Sequence, residues 1–99
     1  MMRSTAKVAT DKAARYLSQL YSHFSLGLPA SLDQEGDEGP GGRIQFPYGS
    51  CALAADEHEL HVSVEAENVI DLTRMEAVIA EHLKQSLFRR PVEVIWRWA

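Results

Sequence analysis

Two amphipathic segments of helical period enclose a block of alternating segments, and this arrangement constrains the fold of the 99-residue chain more than any other feature. Apolar residues spaced three and four apart give each helical segment one apolar stripe. The first stripe contains Ala13, Leu17, Leu20 and Phe24, and the second contains Leu72, Met75, Ile79, Leu83 and Leu87. A helix with one apolar face must cover it with another element, so we expect both helices on one face of a sheet.

Capping residues and residues that interrupt a helix mark the ends of both helical segments. Thr10 is predicted to cap the first helix, which begins there and runs to about Phe24. Asn68 is predicted to cap the second helix through its side-chain oxygen, and Pro91 prevents that helix from continuing. The chain therefore contains two helices that lie far apart in the sequence.

The segments outside the helices alternate between apolar and polar residues, which predicts strands. Strands are predicted at residues 4–10, 43–46, 51–55, 60–64 and 92–98, and residues 28–33 are a candidate for one more short strand. An acidic, glycine-rich stretch at residues 35–42 is predicted to be a flexible loop. Because tight turns join consecutive strands antiparallel, we predict an α+β fold. It is an antiparallel sheet of four to five strands in the order β-α-β-β-β-α-β, with both helices on one face.

The face of the predicted sheet that the helices leave uncovered is polar and therefore largely hydrated. Its predicted residues are Arg43, Gln45, His61, Ser63, Glu93 and Arg97. Ile95 is the apolar exception on this face, and it leaves open a homodimer formed through the open face or an edge strand. Trp96 and Trp98 alternate with Ile95 and are predicted to pack against the helices, with ligand stacking or a subunit contact as the alternative for Trp98.

Composition places the chain among soluble globular proteins of a single domain, spanning residues 1–99. Hydrophobic residues make up 45% and charged residues 24%, and the formal net charge is −4. An acidic chain without a basic stripe argues against nucleic acid and against an anionic membrane surface as partners. A single cysteine forms no internal disulfide, and no apolar run approaches the ~20 residues of a membrane span, so we expect a cytoplasmic protein.

His23 and His82 each lie at the border of an apolar helical stripe and are the most informative pair of titratable residues. If the helices pack side by side, both imidazoles point to one seam, where Cys51 would complete a His/His/Cys metal site. The alternative is a pair of boundary histidines whose ring nitrogens bind local partners. We favour the second interpretation, because no histidine pair at a spacing of four and no carboxylate at motif spacing supports a metal site.

Cys51 and Arg43 are the other candidates for ligand binding. A free cysteine on a core-facing strand is typical of a small buried hydrophobe, so we favour burial of Cys51 over a nucleophilic role. Arg43 follows two glycines, and it either contacts an anion or is a solvated residue of the open sheet face. No Walker loop, dinucleotide fingerprint or serine triad occurs in the sequence, so we predict neither catalytic residues nor a cofactor.

Several local patterns together resemble one bacterial family. They are RYL at 15–17, HF at 23–24, GRIQFPYGSC at 42–51, EHL at 81–83 and VEVIW at 92–96. The chain is identified on these patterns as a member of the family called domain of unknown function 2218, and the resemblance covers nearly its whole length. It implies a small stand-alone bacterial domain without an assigned activity. Members of the family often occur beside siderophore-interacting proteins, which implies a role near iron acquisition.

A fainter resemblance concerns the fold alone. The order of elements over residues 43–83 is similar to that of the C-terminal domain of phosphohexomutases, which carries a serine-glycine-threonine phosphate-binding loop between two strands. The matching stretch here is AADEHE at residues 54–59. Its three acids would repel a phosphate, and it has no glycine that lets backbone amides approach one. If the fold is shared, we expect the phosphate site to be absent.

Three functions of different classes remain open from the sequence. The leading one is a non-catalytic accessory or binding domain for a small ligand or a siderophore-related protein. The second is a small metal- or haem-dependent enzyme that uses His23 and His82, and metal analysis of the purified protein separates it from the first. The third is a structural homodimer, which a monomeric mass in light scattering would exclude.

Overall fold

The computed structural model describes residues 2–33, 41–83 and 94–98 of the chain. Over these residues the elements are β1 (Met2–Ala9), α1 (Ala13–Ser25), β2 (Ala30–Asp33), β3 (Gly41–Phe46), β4 (Gly49–Ala55), β5 (Glu59–Ala66), α2 (Val69–His82) and β6 (Arg97–Trp98). The α+β class and both helices are as predicted. The sheet has six strands rather than four to five, because β2 pairs fully with β3 and four strands separate the helices.

The sheet has the order β2-β3-β4-β5-β1-β6, and each neighbouring pair is antiparallel. The first and last strands are therefore neighbours, with Ser4 opposite Trp98, and on its other side β1 pairs with β5, with Met2 opposite Ala66. Helix α1 packs on β2, β3, β4 and β5, and α2 packs on β4, β5 and β1. Between them the helices cover one face, which we call the covered face.

The core lies between the helices and the covered face. Helix α1 contributes Ala13, Leu17 and Leu20, and α2 contributes Leu72, Met75 and Ile79, followed by Leu83. Leu87, which completes the predicted stripe, lies outside the described residues. Burying one leucine or isoleucine side chain stabilises the fold by about 1.5–3 kcal/mol. The two stripes and the buried residues of the strands therefore stabilise the fold together. Over the described ranges neither helix is long and apolar enough to cross a membrane.

The two predicted helix caps have different outcomes. Asn68 caps α2 as predicted, since its Oδ1 accepts a hydrogen bond from the Asp71 amide at 2.9 Å. The predicted cap at Thr10 is wrong, because α1 begins only at Ala13 and the residue at its N-cap is Lys12. The Thr10 hydroxyl instead accepts a hydrogen bond from the Lys12 amide at 3.1 Å, which stabilises the turn before the helix.

Glycines shape the two ends of β3 and β4. The predicted loop at residues 35–42 ends too late in the sequence, because Gly41 and Gly42 belong to β3, opposite Ala54 and Leu53. Its remaining residues, 35–40, lie outside the described residues. Gly49 begins β4 next to α2 and β5. A Cβ atom at Gly49 would lie 3.0 Å from the Met75 Cγ and closer still to the Glu65 carbonyl oxygen. The backbone at residue 49 can therefore approach β5 and α2 this closely only because the residue is glycine.

The C-terminal strand is shorter and more exposed than predicted. Only residues 97–98 pair with β1, and residues 92–93 of the predicted strand lie outside the described residues. Trp96 packs partly against the core, but the burial predicted for Trp98 is wrong, since 53% of this residue is exposed. Trp98 lies on the edge strand and reaches α2 through its Nε1, which donates to the Glu76 Oε2 at 3.3 Å. Ile95 is exposed, as expected for the open face.

Candidate functional site

His23 and His82 meet where the two helices end. Each lies in the last turn of its helix. Their imidazole rings stack with centroids 4.1 Å apart and an interplanar angle of 26°. His23 is exposed and His82 is half-buried. The two helices therefore bring together two residues that lie far apart in the sequence. The only sequence signal for this contact is that each histidine borders the apolar stripe of its helix.

A row of aromatic rings continues from this pair along one side of α2. Phe24 makes an edge contact with His23 at 4.9 Å and lies 5.3 Å from His82. Phe46 follows at 5.2 Å from Phe24, and Tyr48 at 5.8 Å from Phe46. We call these five rings the aromatic row. Because the rings contact one another, the neighbouring aromatic side chains hold the two imidazoles in place on the protein side. The solvent side of the pair remains accessible.

The protonation of the pair is set by burial and by the neighbouring charge. Desolvation lowers the pKa of His82, and a positive charge on His23 lowers it further. The C-terminal carbonyl groups of a helix favour a positive charge on a nearby imidazole. At His82 the burial and the second imidazole outweigh this effect, so His82 is neutral at pH 7.

The stacked geometry decides what the pair can bind. A metal–nitrogen bond lies in the plane of the imidazole ring, about 2.0–2.1 Å long for zinc. Two nearly parallel rings direct their lone pairs side by side, so one ion meets both nitrogens only after the rings leave the stack. Within the described ranges, no group of three His, Cys, Asp or Glu residues is arranged to hold a metal ion. The pair instead offers N–H donors and a ring face.

The other two predicted candidates lie elsewhere in the molecule. Cys51 lies on the covered face of β4, opposite Ile44 and Val64, and is 1% exposed. Burial raises the pKa of its thiol to about 12, so the thiolate needed for nucleophilic attack does not form at neutral pH. Arg43 is exposed on the opposite face of the sheet. The four candidates are thus distributed over three separate places.

An aspartate–histidine pair escaped the sequence analysis. The Asp56 Oδ1 accepts hydrogen bonds from the amides of His58 at 2.7 Å and Glu59 at 2.6 Å, and its Oδ2 lies 2.9 Å from the His61 Nε2. The bond to His61 and then those from the two amides lower the pKa of Asp56 to about 2. The sequence signal that could have indicated this pair is an aspartate at the start of a tight turn, where its side chain often accepts hydrogen bonds from turn amides.

This pair also bears on the turn that was compared with a phosphate-binding loop. The Asp56 carboxylate accepts the hydrogen bonds of two turn amides, which an anion would otherwise use. The expectation that this turn binds no phosphate thus gains a structural reason. The resemblance to the phosphohexomutase fold stays a prediction.

Comparisons with known proteins agree with the family resemblance. A family model described as "Uncharacterized protein conserved in bacteria (DUF2218)" matches residues 5–97. The NMR structure of PA4090 from Pseudomonas aeruginosa is similar to this chain, with 29% sequence identity and a TM-score of 0.78. The match covers 98% of this chain and 96% of that one. No curated protein matches the chain. Neither description names an activity or a ligand.

Proposed function

Because this chain belongs to the DUF2218 family of uncharacterised bacterial proteins, we propose that it is a non-catalytic binding domain that acts in iron–siderophore handling. The link to iron comes from the neighbourhood in which members of this family occur. The binding role is supported by the structure, and above all by the stacked pair of His23 and His82.

The environment of the pair favours binding over catalysis. A catalytic histidine is usually oriented by a third group and lies within reach of a nucleophile. Among the described residues, no side chain forms a hydrogen bond to either imidazole, and the thiol of Cys51 is buried elsewhere. In the described part of the chain, ring contacts orient the two imidazoles. Such a pair suits non-covalent contact with a ligand through its N–H groups and its exposed ring.

A ferric siderophore matches this chemistry better than a free metal ion does. In a ferric chelate the oxygen donors of the siderophore already fill the coordination sphere of the iron, so the protein needs no converging set of ligands. It needs donors for the negatively charged oxygen atoms, and such charge-assisted hydrogen bonds are short and strong. His23 and His82 supply these donors on an accessible surface.

Titration of the purified protein with ferric siderophores tests the proposal. A ferric hydroxamate and a ferric catecholate, each with its iron-free form as control, are followed by calorimetry and by thermal shift. We expect binding of at least one ferric form and a loss of at least about tenfold in the double variant His23→Ala/His82→Ala. His58→Ala is the matched control, because His58 is exposed in a turn away from the pair. The proposal fails if no ferric form produces heat or a thermal shift, or if the double variant binds like the wild type.

A homodimer module is the second candidate, and two exposed apolar residues favour it. Ile95 is 61% exposed and Trp98 53%, both at the β6 end of the chain. Light scattering at high concentration tests this function, since a strictly monomeric mass would exclude it. The metal-dependent enzyme and the cytoplasmic location stay predictions from the sequence.

A further inference from the structure

The face of the sheet opposite the helices, which we call the open face, has small side chains at its centre and cations at its sides. The strand register places Arg43, Ala52, Ser63, Thr5 and Arg97 in one row across five strands. The adjacent row contains Ala54, His61 and Lys7. Since side chains directly opposite one another share a face, each row is continuous.

These two rows form a shallow concavity of about 280 Å³. It is lined by Thr5, Lys7, Ala52, Ala54, His61 and Ser63 on the open side. The two alanines of β4 present methyl groups, whereas the neighbouring positions on β1 and β5 carry polar side chains. The concavity therefore has an apolar floor and one polar side, as small-molecule sites usually have. Its volume suits a small ligand.

The charge on this face differs from that of the whole chain. Lys7, Arg43 and Arg97 form no ion pair with any residue in the described part of the chain. The acid Glu65 is bound to Arg3, and Glu59 lies at the end of β5, opposite Ala9. The Asp56 carboxylate is the acid next to the concavity, and it is bound to His61 and to two turn amides. The chain as a whole has a net charge of −4, so unpaired cations around one concavity are not a consequence of composition. They attract an anionic ligand from solution.

We propose that this concavity binds a small organic anion with a flat apolar body, of the aromatic carboxylate class. The apolar body rests on Ala52 and Ala54, and the carboxylate lies toward Lys7. Arg43 and Arg97 stand at the two ends of the neighbouring row and add attraction from both sides. This site is separate from the histidine pair, because the sheet lies between the open face and the aromatic row.

Binding of 2-naphthoate, followed by ¹H–¹⁵N correlation spectra, tests this site. We expect saturable shifts of the amides of Ala52, Ala54 and Ser63, with a dissociation constant in the low millimolar range or below. The uncharged 2-naphthamide should bind at least about tenfold more weakly, since it keeps the body and lacks the charge. Inorganic phosphate, which has the charge and lacks the body, should leave these amides unshifted.

Three variants locate the site. Lys7→Gln should weaken 2-naphthoate at least about fivefold, whereas Lys12→Gln, on the helix side of the molecule, should leave it unchanged. The melting temperatures and spectra of both variants show whether they remain folded. The double variant His23→Ala/His82→Ala should bind 2-naphthoate like the wild type, which separates this site from the proposed siderophore site.

Four results would overturn the proposal. They are equal affinity for the amide and the carboxylate, equal loss in Lys7→Gln and Lys12→Gln, shifts confined to the aromatic row, and no shift up to the solubility limit of 2-naphthoate.

Discussion

The covered face and the open face of the sheet use the same strands for different purposes. On β5, Leu60, Val62 and Val64 are fully buried beneath the helices, and the residues between them lie on the open face. One face thus contains large apolar side chains that fit one another closely. The other contains small, polar and charged side chains that no part of the core requires. Stability depends on the first face, which leaves the second free for binding.

Truncation on β5 is the strongest test of this division. Leu60→Ala removes a fully buried side chain from the covered face and should lower the free energy of unfolding by about 2–5 kcal/mol. Ser63→Ala, on the open face of the same strand, should change it by less than about 0.5 kcal/mol. Urea denaturation of both variants gives the two values. Equal effects would show that the faces are not divided as described.

Gly49→Ala tests how closely the edge of the covered face is packed. The added methyl group meets the Glu65 carbonyl oxygen and the Met75 side chain, so it should cost about 1–3 kcal/mol of unfolding free energy. Gly27→Ala is the matched control, because no atom lies within 4 Å of its added Cβ. Thermal or urea unfolding measures both variants, and a neutral Gly49→Ala would contradict the close approach.

A polar contact on the covered face gives a third comparison. Ser4 is fully buried, and its hydroxyl donates to the Glu76 Oε2 at 2.7 Å, the same oxygen that Trp98 binds. Glu76→Ala leaves that buried hydroxyl without its acceptor and should cost about 1–3 kcal/mol. Glu76→Gln keeps an acceptor oxygen and should cost less. Tryptophan fluorescence should also shift in the alanine variant, since Trp98 loses its contact with α2.

Acidification should have the smallest effect and should act in two separate pH ranges, one set by His82 and one by Asp56. The pKa of His82 in the folded state lies below its ordinary value of 6.5, so the unfolded chain binds this proton more readily. Stability therefore falls as the pH drops below about 6.5 and becomes level below the folded pKa. The pKa of Asp56 falls from 3.8 to about 2, so its contribution is present above pH 3.8 and is lost as the pH approaches 2.

Two variants assign these acid transitions. His82→Gln should flatten the stability profile just below pH 6.5 and leave the lower step in place. Asp56→Asn should do the reverse, removing the step between pH 3.8 and 2. Stability measured by urea denaturation across this pH range gives both profiles, and a variant without effect on its own step would contradict the assignment.

The periodic parts of the fold could be predicted from the sequence. The apolar stripe through Leu17 and Leu20 has the period of a helix, and the alternation around Val62 has the period of a strand. The apolar residues of both patterns are buried as predicted. The ends were harder to predict. At Thr10 a capping residue stands two positions before the actual N-cap, because a turn stabilised by its hydroxyl precedes the helix. At Trp98 the alternation places the indole on the correct face, but at the edge of the sheet it remains half exposed.

The site could be predicted only in part, because its geometry depends on tertiary packing. The helical phase identifies His23 and His82 as boundary residues, yet their stacking depends on how closely α1 and α2 approach. The alternation places Arg43 on the open face. The alternation also places Arg97 there, but the rows that Lys7 and Arg97 occupy depend on the register of β1 between β5 and β6, which the local sequence does not specify.

The position of β1 between β5 and β6 has a consequence for the order in which the chain folds. Both strands that pair with β1 come late in the sequence, at Glu59–Ala66 and Arg97–Trp98. We therefore expect Ala6 and Val8 to stay unprotected while the hairpins of β2 to β5 form from neighbouring segments. Closing so long a loop carries an entropic cost before any contact offsets it, so we expect the insertion of β1 to limit the rate of folding.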